Sequence, residues 1–182
     1  AEVGSNPLVN IVDDHATNTQ TTLMVQQDGT GDILNLFNDT TERLTVTYDG
    51  KVGIGTDTPS SMLEINSDVS NIAIATLSQH SADADGPNLQ LQSARGTHAV
   101  PAICVDGDFL GELGYRGYDG NSYDTWAQIY GQVEGTPGLG SHPGKLIFRT
   151  CDDGATALGI RMVIMPGGRV GIGDNSPNHL LD

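Results

Sequence analysis

Residues 49–59 read Asp-Gly-Lys-Val-Gly-Ile-Gly-Thr-Asp-Thr-Pro, and residues 167–177 read Gly-Gly-Arg-Val-Gly-Ile-Gly-Asp-Asn-Ser-Pro. Val170 follows Val52 by 118 residues, which is far longer than the ~20–50 residues of a solenoid repeat. The sequence therefore predicts two copies of one module on either side of an insert.

The two copies also have similar flanks. An alternating apolar segment precedes each copy, at 44–48 and 160–165, and a short apolar segment follows, at 62–65 and 180–181. Alternation of this kind is typical of half-buried β-strands. Each module is therefore predicted to run strand, tight turn, short Val-Gly-Ile-Gly strand, proline-bounded turn and strand.

The alternating glycines of the Val-Gly-Ile-Gly element require an explanation in terms of packing. Glycines at alternate positions leave one face of a strand bare, while valine and isoleucine fill the other. Glycine weakens a strand unless another backbone approaches closely, and three copies of the chain around an axis would supply that approach. The sequence therefore predicts a parallel homotrimeric fibre. The residues predicted to pack in this trimer are Val52, Gly53, Ile54, Gly55, Val170, Gly171, Ile172 and Gly173.

Composition and charge narrow the classes of function. The 182 residues include 24 Gly and 8 Pro but only 17% charged residues, which indicates turn-dense β structure. The formal net charge of −15 opposes binding to nucleic acid or to anionic membranes. The sequence contains no run of about 18 apolar residues, so it does not predict membrane insertion. Its two scattered cysteines predict neither a disulfide framework nor a zinc site.

Three domains are predicted from these patterns. They are an N-terminal fibre β-module at 1–66, a β-rich insert at 67–143 and a C-terminal fibre β-module at 144–182. Within the insert, residues 88–93 alternate as a strand does, and residues 109–133 read as a β-hairpin.

The register of this hairpin follows from parity. Apolar residues fall on odd positions in both arms, as at Leu113 and Ile129. Because directly paired residues share a face, the loop must hold an odd number of residues. A three-residue loop at 119–121 is the simplest choice, and it places Arg116 opposite Asp124.

No motif in the sequence predicts catalysis or a cofactor. The glycines of Gly53-Ile54-Gly55 lack the third glycine and the helix of a dinucleotide fingerprint. Most aspartates stand beside glycine, where they favour turns. Asp119, Asn121 and Asp124 could hold calcium, but Asx-turn chemistry explains the same residues more simply.

One face of the hairpin favours sugar binding. Trp126 and Tyr130 alternate with Gln128, and Tyr118 stands at the hairpin tip. Aromatic rings stack on sugars and amides bind hydroxyls, so these four residues form the predicted glycan contact. Packing of the same face against a sister subunit or a second sheet is the alternative.

Four segments resemble the repeats of bacteriophage tail fibres and related virion appendages. They are Gly50–Pro59, Gly111–Gly120, Val133–Gly138 and Pro143–Phe148. The second copy of the repeat, preceded by Arg161-Met162-Val163-Ile164, resembles them as well. The resemblance covers roughly 33–66 and 93–182. It implies an all-β homotrimeric fibre, located on an extracellular virion and joined to other tail or fibre proteins. It also implies attachment to a bacterial surface and supplies no catalytic residues.

Two other functions stay open. One is a tailspike-like polysaccharide hydrolase, with carboxylates contributed by different subunits. The other is a cellular surface adhesin that uses the same repeats. The preferred interpretation is a structural and adhesive fibre subunit that contacts host glycan and has no enzymatic activity.

Overall fold

The computed structural model describes residues 21, 23–69, 75–80, 82 and 84–182. All regular elements among these residues are β-strands, which confirms the predicted all-β class. None of the described residues form a helix with the length and hydropathy needed to cross a bilayer. The strands are β1 (Leu34–Asn38), β2 (Thr41–Val46), β3 (Val52–Ile54), β4 (Leu63–Ile65), β5 (Arg95–Gly96), β6 (Pro101–Ala102), β7 (Phe109–Tyr118), β8 (Tyr123–Val133), β9 (Gly144–Cys151), β10 (Leu158–Ile164) and β11 (Val170–Ile172).

The chain divides into two compact units, residues 1–85 and 86–182. The first unit holds a four-stranded sheet in the order β1-β2-β3-β4. The second unit holds a five-stranded sheet in the order β11-β10-β9-β8-β7 and a small β5-β6 sheet. The hairpin predicted for the insert and the C-terminal copy therefore share one sheet, joined where β8 pairs antiparallel with β9.

Not all of the predicted organisation falls on described residues or on strands. Residues 1–20 of the predicted N-terminal module lie outside the described residues. The strand predicted at 88–93 is wrong, because that segment is extended but pairs with no strand among the described residues. Its Leu91 side chain instead lies against the backbone of Gly111 in β7.

The sequence repeat is also a structural repeat, and the predicted strand, tight turn and short strand are confirmed in both copies. The last predicted strand forms in the first copy as β4, whereas in the second copy Leu181 makes an isolated bridge to Val170. β3 pairs with β2 with Thr45 opposite Gly53, and β11 pairs with β10 with Val163 opposite Gly171. The tight turns match as well, since the bond from Thr47 N–H to the Lys51 carbonyl (3.0 Å) recurs between Met165 and Arg169 (2.9 Å). The same 118-residue spacing therefore relates the backbone hydrogen bonds of both copies.

Both copies contain a β-bulge at the same place. Arg43 is the extra residue where β2 pairs with β1, and Arg161 is the extra residue where β10 pairs with β9. In each copy the second glycine of Val-Gly-Ile-Gly donates to the arginine carbonyl, from Gly55 at 3.0 Å and from Gly173 at 2.9 Å. Both glycines have positive φ, 75° and 76°, a conformation that side chains with a Cβ rarely adopt.

The hairpin register predicted from parity is wrong at the tip. Tyr118 pairs with Tyr123, so the loop holds four residues, and Thr125 rather than Asp124 stands opposite Arg116. Trp126 is the extra residue of a bulge between the Arg116 and Tyr115 pairs. This residue restores odd-to-odd pairing lower in the hairpin, where Leu113 faces Ile129.

Candidate functional site

The first unit exposes an apolar sheet face. Each of its four strands contributes two apolar side chains to this face, because paired residues point the same way. Five of the eight side chains are exposed, although they are leucine or isoleucine. We define the first apolar face by two rows across the sheet: Leu34, Val46, Val52 and Leu63, and Leu36, Leu44, Ile54 and Ile65.

The second unit repeats this arrangement on a wider sheet. One apolar row crosses all five strands, from the hairpin to the Val-Gly-Ile-Gly strand, and Ile172 at its end is 65% exposed. A second row begins at Leu146 and ends beside β11 at Leu181, which forms a parallel bridge with Val170. We define the second apolar face by these rows: Leu113, Ile129, Phe148, Met162 and Ile172, and Leu146, Ile164, Val170 and Leu181.

The bare glycine face is covered by the chain itself. A Cβ on Gly53 would collide with the carbonyl oxygen of Thr56, and one on Gly171 would collide with that of Asp174. The proline-bounded turn after each short strand therefore folds back over the glycine and supplies the close approach predicted from a sister chain. Of the predicted trimer-packing residues, Gly53 and Gly171 are buried within their own units. Ile54 and Ile172 lie exposed on the apolar faces.

The four predicted glycan residues do not form one surface. Tyr130 is 5% exposed and Gln128 is 8% exposed. The Tyr130 ring stacks on Phe109 with 4.8 Å between ring centroids, and it packs in the core with Ile147 and Val163. Gln128 donates to the carboxylate of Glu112. These two residues are therefore packed against side chains from neighbouring strands of their own sheet.

Exposed aromatic side chains gather at the far end of the hairpin. β9 pairs with β8 only from Ala127 onward, so the last part of the hairpin extends beyond it. Four aromatic side chains on this part are each more than half exposed: Tyr115, Tyr118, Tyr123 and Trp126. Two of the predicted glycan residues, Tyr118 and Trp126, are therefore accessible. Tyr118 and Tyr123 lie side by side, with 5.3 Å between ring centroids.

The turn at the hairpin tip is held by its first residue. Asp119 accepts hydrogen bonds from the backbone N–H groups of Asn121 (2.7 Å) and Ser122 (2.8 Å), which confirms the Asx-turn interpretation. These backbone bonds, first from Ser122 and then from Asn121, lower the pKa of Asp119 below its ordinary value. The described residues contain no group of three or more His, Cys, Asp or Glu side chains placed to hold a metal ion.

Asp108, the residue just before β7, anchors the start of the hairpin. Arg95 of β5 forms a bidentate ion pair with Asp108, at 2.7 and 2.8 Å, and Asp108 also accepts from the backbone N–H of Val105. These hydrogen bonds, that of Arg95 above all, lower the pKa of Asp108 to about 2. The pair therefore ties the small β5-β6 sheet to the start of β7.

Some of these residues were missed by the sequence analysis although a signal existed. Period-two alternation places Leu34 with Leu36 and Leu63 with Ile65 on one face, and extending the parity argument to them would have predicted the first apolar face. The position of Trp126 had no comparable signal, because a bulge adds one residue without a characteristic composition.

Comparison with solved structures finds chains of similar fold, among them two structures of one phage domain. The carboxy-terminal domain of the bacteriophage T5 L-shaped tail fibre matches with a TM-score of 0.60 at 14% identity, over 76% of this chain and 61% of that one. The same domain with its intra-molecular chaperone domain matches with a TM-score of 0.62 at 14% identity, over 79% of this chain and 44% of that one. The fold is similar to that of a phage tail-fibre domain.

The chain thus spans about 61% and 44% of these two structures. No protein-family model matches the sequence, and none of the curated proteins matches it either.

Proposed function

We propose that this protein is a structural and adhesive subunit of a bacteriophage-type tail fibre. In this proposal three parallel copies assemble, and the apolar face of each unit is covered by the same unit of the sister chains. The observation that carries it is the recurrence of the same exposed apolar rows in both units. The fold shared with the T5 tail-fibre domain agrees with this role.

The burial pattern supports assembly. Among the described residues, four hydrophobic side chains are buried: Tyr130, Val133, Ile147 and Val163. Exposed apolar faces larger than a few hundred Å² are uncommon on soluble monomers and mark interaction sites. A sister chain that covers the apolar faces would give each sheet the second packed layer that stable domains require.

The apolar faces also give the Val-Gly-Ile-Gly repeat a role in the proposed fibre. The glycines hold the strand against its own turn, while Val52, Ile54, Val170 and Ile172 point into the apolar faces. In the proposed trimer, the valine and isoleucine side chains make the contacts between chains. The glycines act within each chain by fixing the strand that carries these side chains.

The end of the hairpin is the proposed contact with the bacterial surface. Tyr118 and Trp126 are exposed there, and aromatic rings of this kind stack on saccharides. The net charge of −15 opposes phosphate-rich partners, which favours a glycan. We place the protein on the virion, joined to other tail or fibre proteins.

Sedimentation equilibrium and site-directed variants test the trimer. Wild type is expected at about three times the 19.1 kDa chain mass. Ile54→Lys and Ile172→Lys each add a charge to an apolar face and are expected to shift the protein toward monomer. Ser61→Lys, in an exposed turn, is the matched control and is expected to stay trimeric. A monomeric wild type, or lysine variants that assemble like the control, would contradict the proposed assembly.

Binding to immobilised polysaccharides from bacterial surfaces tests the adhesive role. Trimeric wild type is expected to be retained, and Tyr118→Ala with Trp126→Ala is expected to reduce retention. Retention that is unchanged in this double variant would remove the hairpin end from the proposed contact. Release of reducing sugar during the assay would favour the hydrolase alternative instead.

A further inference from the structure

Two adjoining cavities lie beside Trp126 in the second unit. Their volumes are about 190 and 430 Å³, and the larger falls in the ~300–1,000 Å³ range of small-molecule sites. Both are lined by Trp126, Cys151 and Ala155. They therefore lie where the end of the hairpin meets the connection between β9 and β10.

The tryptophan ring in these cavities is held in a fixed place. Trp126 is the extra residue of a β-bulge, and bulges redirect side chains. A Cβ on Gly117 would stand 2.5 Å from Cη2 of the indole, so the ring lies directly over the glycine backbone. With its ring supported in this way, Trp126 is still 53% exposed. It is therefore a preorganised aromatic surface in a cavity wall.

The walls around the ring are acidic. Four carboxylates line the two cavities: Asp119, Asp124, Asp152 and Asp153. Arg161 pairs with Asp152, and no ion pair forms to the other three carboxylates among the described residues. Arg116, the cation of the hairpin arm, is directed instead to the carbonyl of Tyr123. The cavities therefore combine an aromatic face with an excess of negative charge.

We propose that these cavities bind a saccharide that carries a protonated amine. The indole offers a stacking surface for the apolar face of a sugar ring and attracts a cation through its π-system. The carboxylates attract the ammonium group and repel anionic sugars. This inference rests on the proposed glycan-binding function, and it names the chemical class of glycan that the site selects.

The chain contains one tryptophan, so its fluorescence reports directly on the site. The probes are the trimer of β-1,4-linked glucosamine and the N-acetylated trimer, which has the same sugar rings without the charge. The amine trimer is expected to change Trp126 emission saturably and to bind at least about tenfold more tightly than the acetylated trimer. Equal responses to both sugars, or no saturable response to the amine trimer, would overturn the proposal.

Charge variants test whether the cavity carboxylates, rather than the net charge of the whole chain, attract the amine. Asp124→Asn and Asp153→Asn are each expected to weaken binding of the amine trimer about five- to tenfold. Asp106→Asn is the control, because it removes the same charge outside the cavities and keeps the oxygen that Gly135 N–H donates to. Weakening by the control as large as that by the cavity variants would contradict a local role for the carboxylates.

Calorimetry tests the ring without relying on its fluorescence. Trp126→Phe is expected to retain part of the affinity for the amine trimer, and Trp126→Ala to lose it. Tetramethylammonium that competes as well as the sugar would contradict the saccharide part of the proposal. If the protein is trimeric and is retained on polysaccharides but fails these titrations, the cavity assignment is wrong and the proposed function stands. If it is monomeric or is not retained, the proposed function itself fails.

Discussion

The glycines of the repeat meet two requirements, one of backbone conformation and one of space for a neighbouring backbone. Gly55 and Gly173 adopt positive φ at the end of each short strand, and Gly53 and Gly171 make room for the carbonyl oxygen of the following turn. Gly55 also makes room for a backbone oxygen, because a Cβ there would lie 2.2 Å from the carbonyl oxygen of Asn66. The alternation Gly-x-Gly thus has two separate physical causes within three residues. A single explanation through packing of sister chains, as the sequence alone favours, does not distinguish them.

Substitution at Gly171 tests the space requirement. Gly171→Ala is expected to lower the free energy of unfolding by about 1–3 kcal/mol, because its Cβ overlaps the backbone of Asp174. Gly167→Ala is the control, since a Cβ there meets no described atom within 4 Å and its φ is not positive. Urea unfolding measures both variants. Equal stability of the two would show that the turn does not press on the glycine.

The Arg95–Asp108 pair gives a pH-dependent contribution to stability. The pKa of Asp108 is about 2 in the folded protein, below the ordinary value near 3.9, so the pair stabilises the fold above about pH 4. This stabilisation is lost as the pH falls from about 4 toward 2. NMR titration of the Asp108 carboxyl group is expected to give a midpoint near 2.

Removal of the partner tests the cause of this shift. In Arg95→Gln the midpoint of Asp108 is expected to rise toward the ordinary value, because the largest lowering influence is the Arg95 hydrogen bond. The backbone N–H of Val105 remains as a donor in this variant. A midpoint that stays near 2 in the variant would contradict the assignment to arginine.

At the scale of elements, the bulge at Trp126 joins strand geometry to the candidate site. It shifts the register of the hairpin tip by one residue and brings the indole over Gly117. The ring is held only as long as position 117 has no side chain. The hairpin is therefore a support for one exposed aromatic residue as well as part of the sheet.

Substitution of two hairpin glycines tests this support. Gly117→Ala is expected to displace the indole and to change the emission maximum of the single tryptophan. Gly114→Ala is expected to leave the emission unchanged, because a Cβ there lies 3.7 Å from the nearest described atom, Oε1 of Glu112. Identical spectra of both variants and wild type would contradict the placement of the ring over Gly117.

The sequence predicted the elements of the repeat better than it predicted the hairpin. The Val-Gly-Ile-Gly strands, their tight turns and the turns bounded by Pro59 and Pro177 follow from local residue preferences, which act in the same way in both copies. Hairpin parity correctly predicted that Leu113 and Ile129 share a face, but it predicted the wrong loop length. One bulge residue compensates for one loop residue, and parity cannot detect such a pair of changes.

Prediction of the site was limited by the same effect. The alternation of Trp126, Gln128 and Tyr130 indicated one aromatic face. The bulge separates Trp126 from that pattern, and Tyr130 is buried beside Phe109 and Ile147 of neighbouring strands in the same sheet. How deeply a side chain of β8 is buried depends on the side chains that neighbouring strands place beside it, here from the start of β7 and from β9. Alternation within one strand does not contain that information.

For the whole molecule, charge and apolar surface have opposite effects on the proposed assembly of chains. Each chain carries a net charge of −15, so the proposed assembly of three copies would concentrate negative charge while it covers the apolar faces. Screening of this repulsion favours the assembled state, because the Debye length falls from about 30 Å at 0.01 M salt to about 8 Å at 0.15 M. The balance between the two effects therefore depends on ionic strength.

Sedimentation of a dilution series at the two salt concentrations tests this balance. The concentration at which trimers dissociate is expected to fall as salt rises. An isosmotic sucrose solution, which screens no charge, is the control and is expected to have a smaller effect. Dissociation promoted by salt would indicate that ion pairs, rather than apolar contacts, dominate the interface.

The two copies differ most in one connection. The turn from β1 to β2 has only two residues, Asp39 and Thr40, whereas the link from β9 to β10 spans 152–157, and the same arginine bulge follows both. The longer link forms part of the cavity walls beside Trp126. The equivalent strand pairs keep the same register although the two connections differ in length. The length and sequence of this link can therefore vary without disturbing the strands, which leaves the surface beside Trp126 free to differ from the rest of the framework.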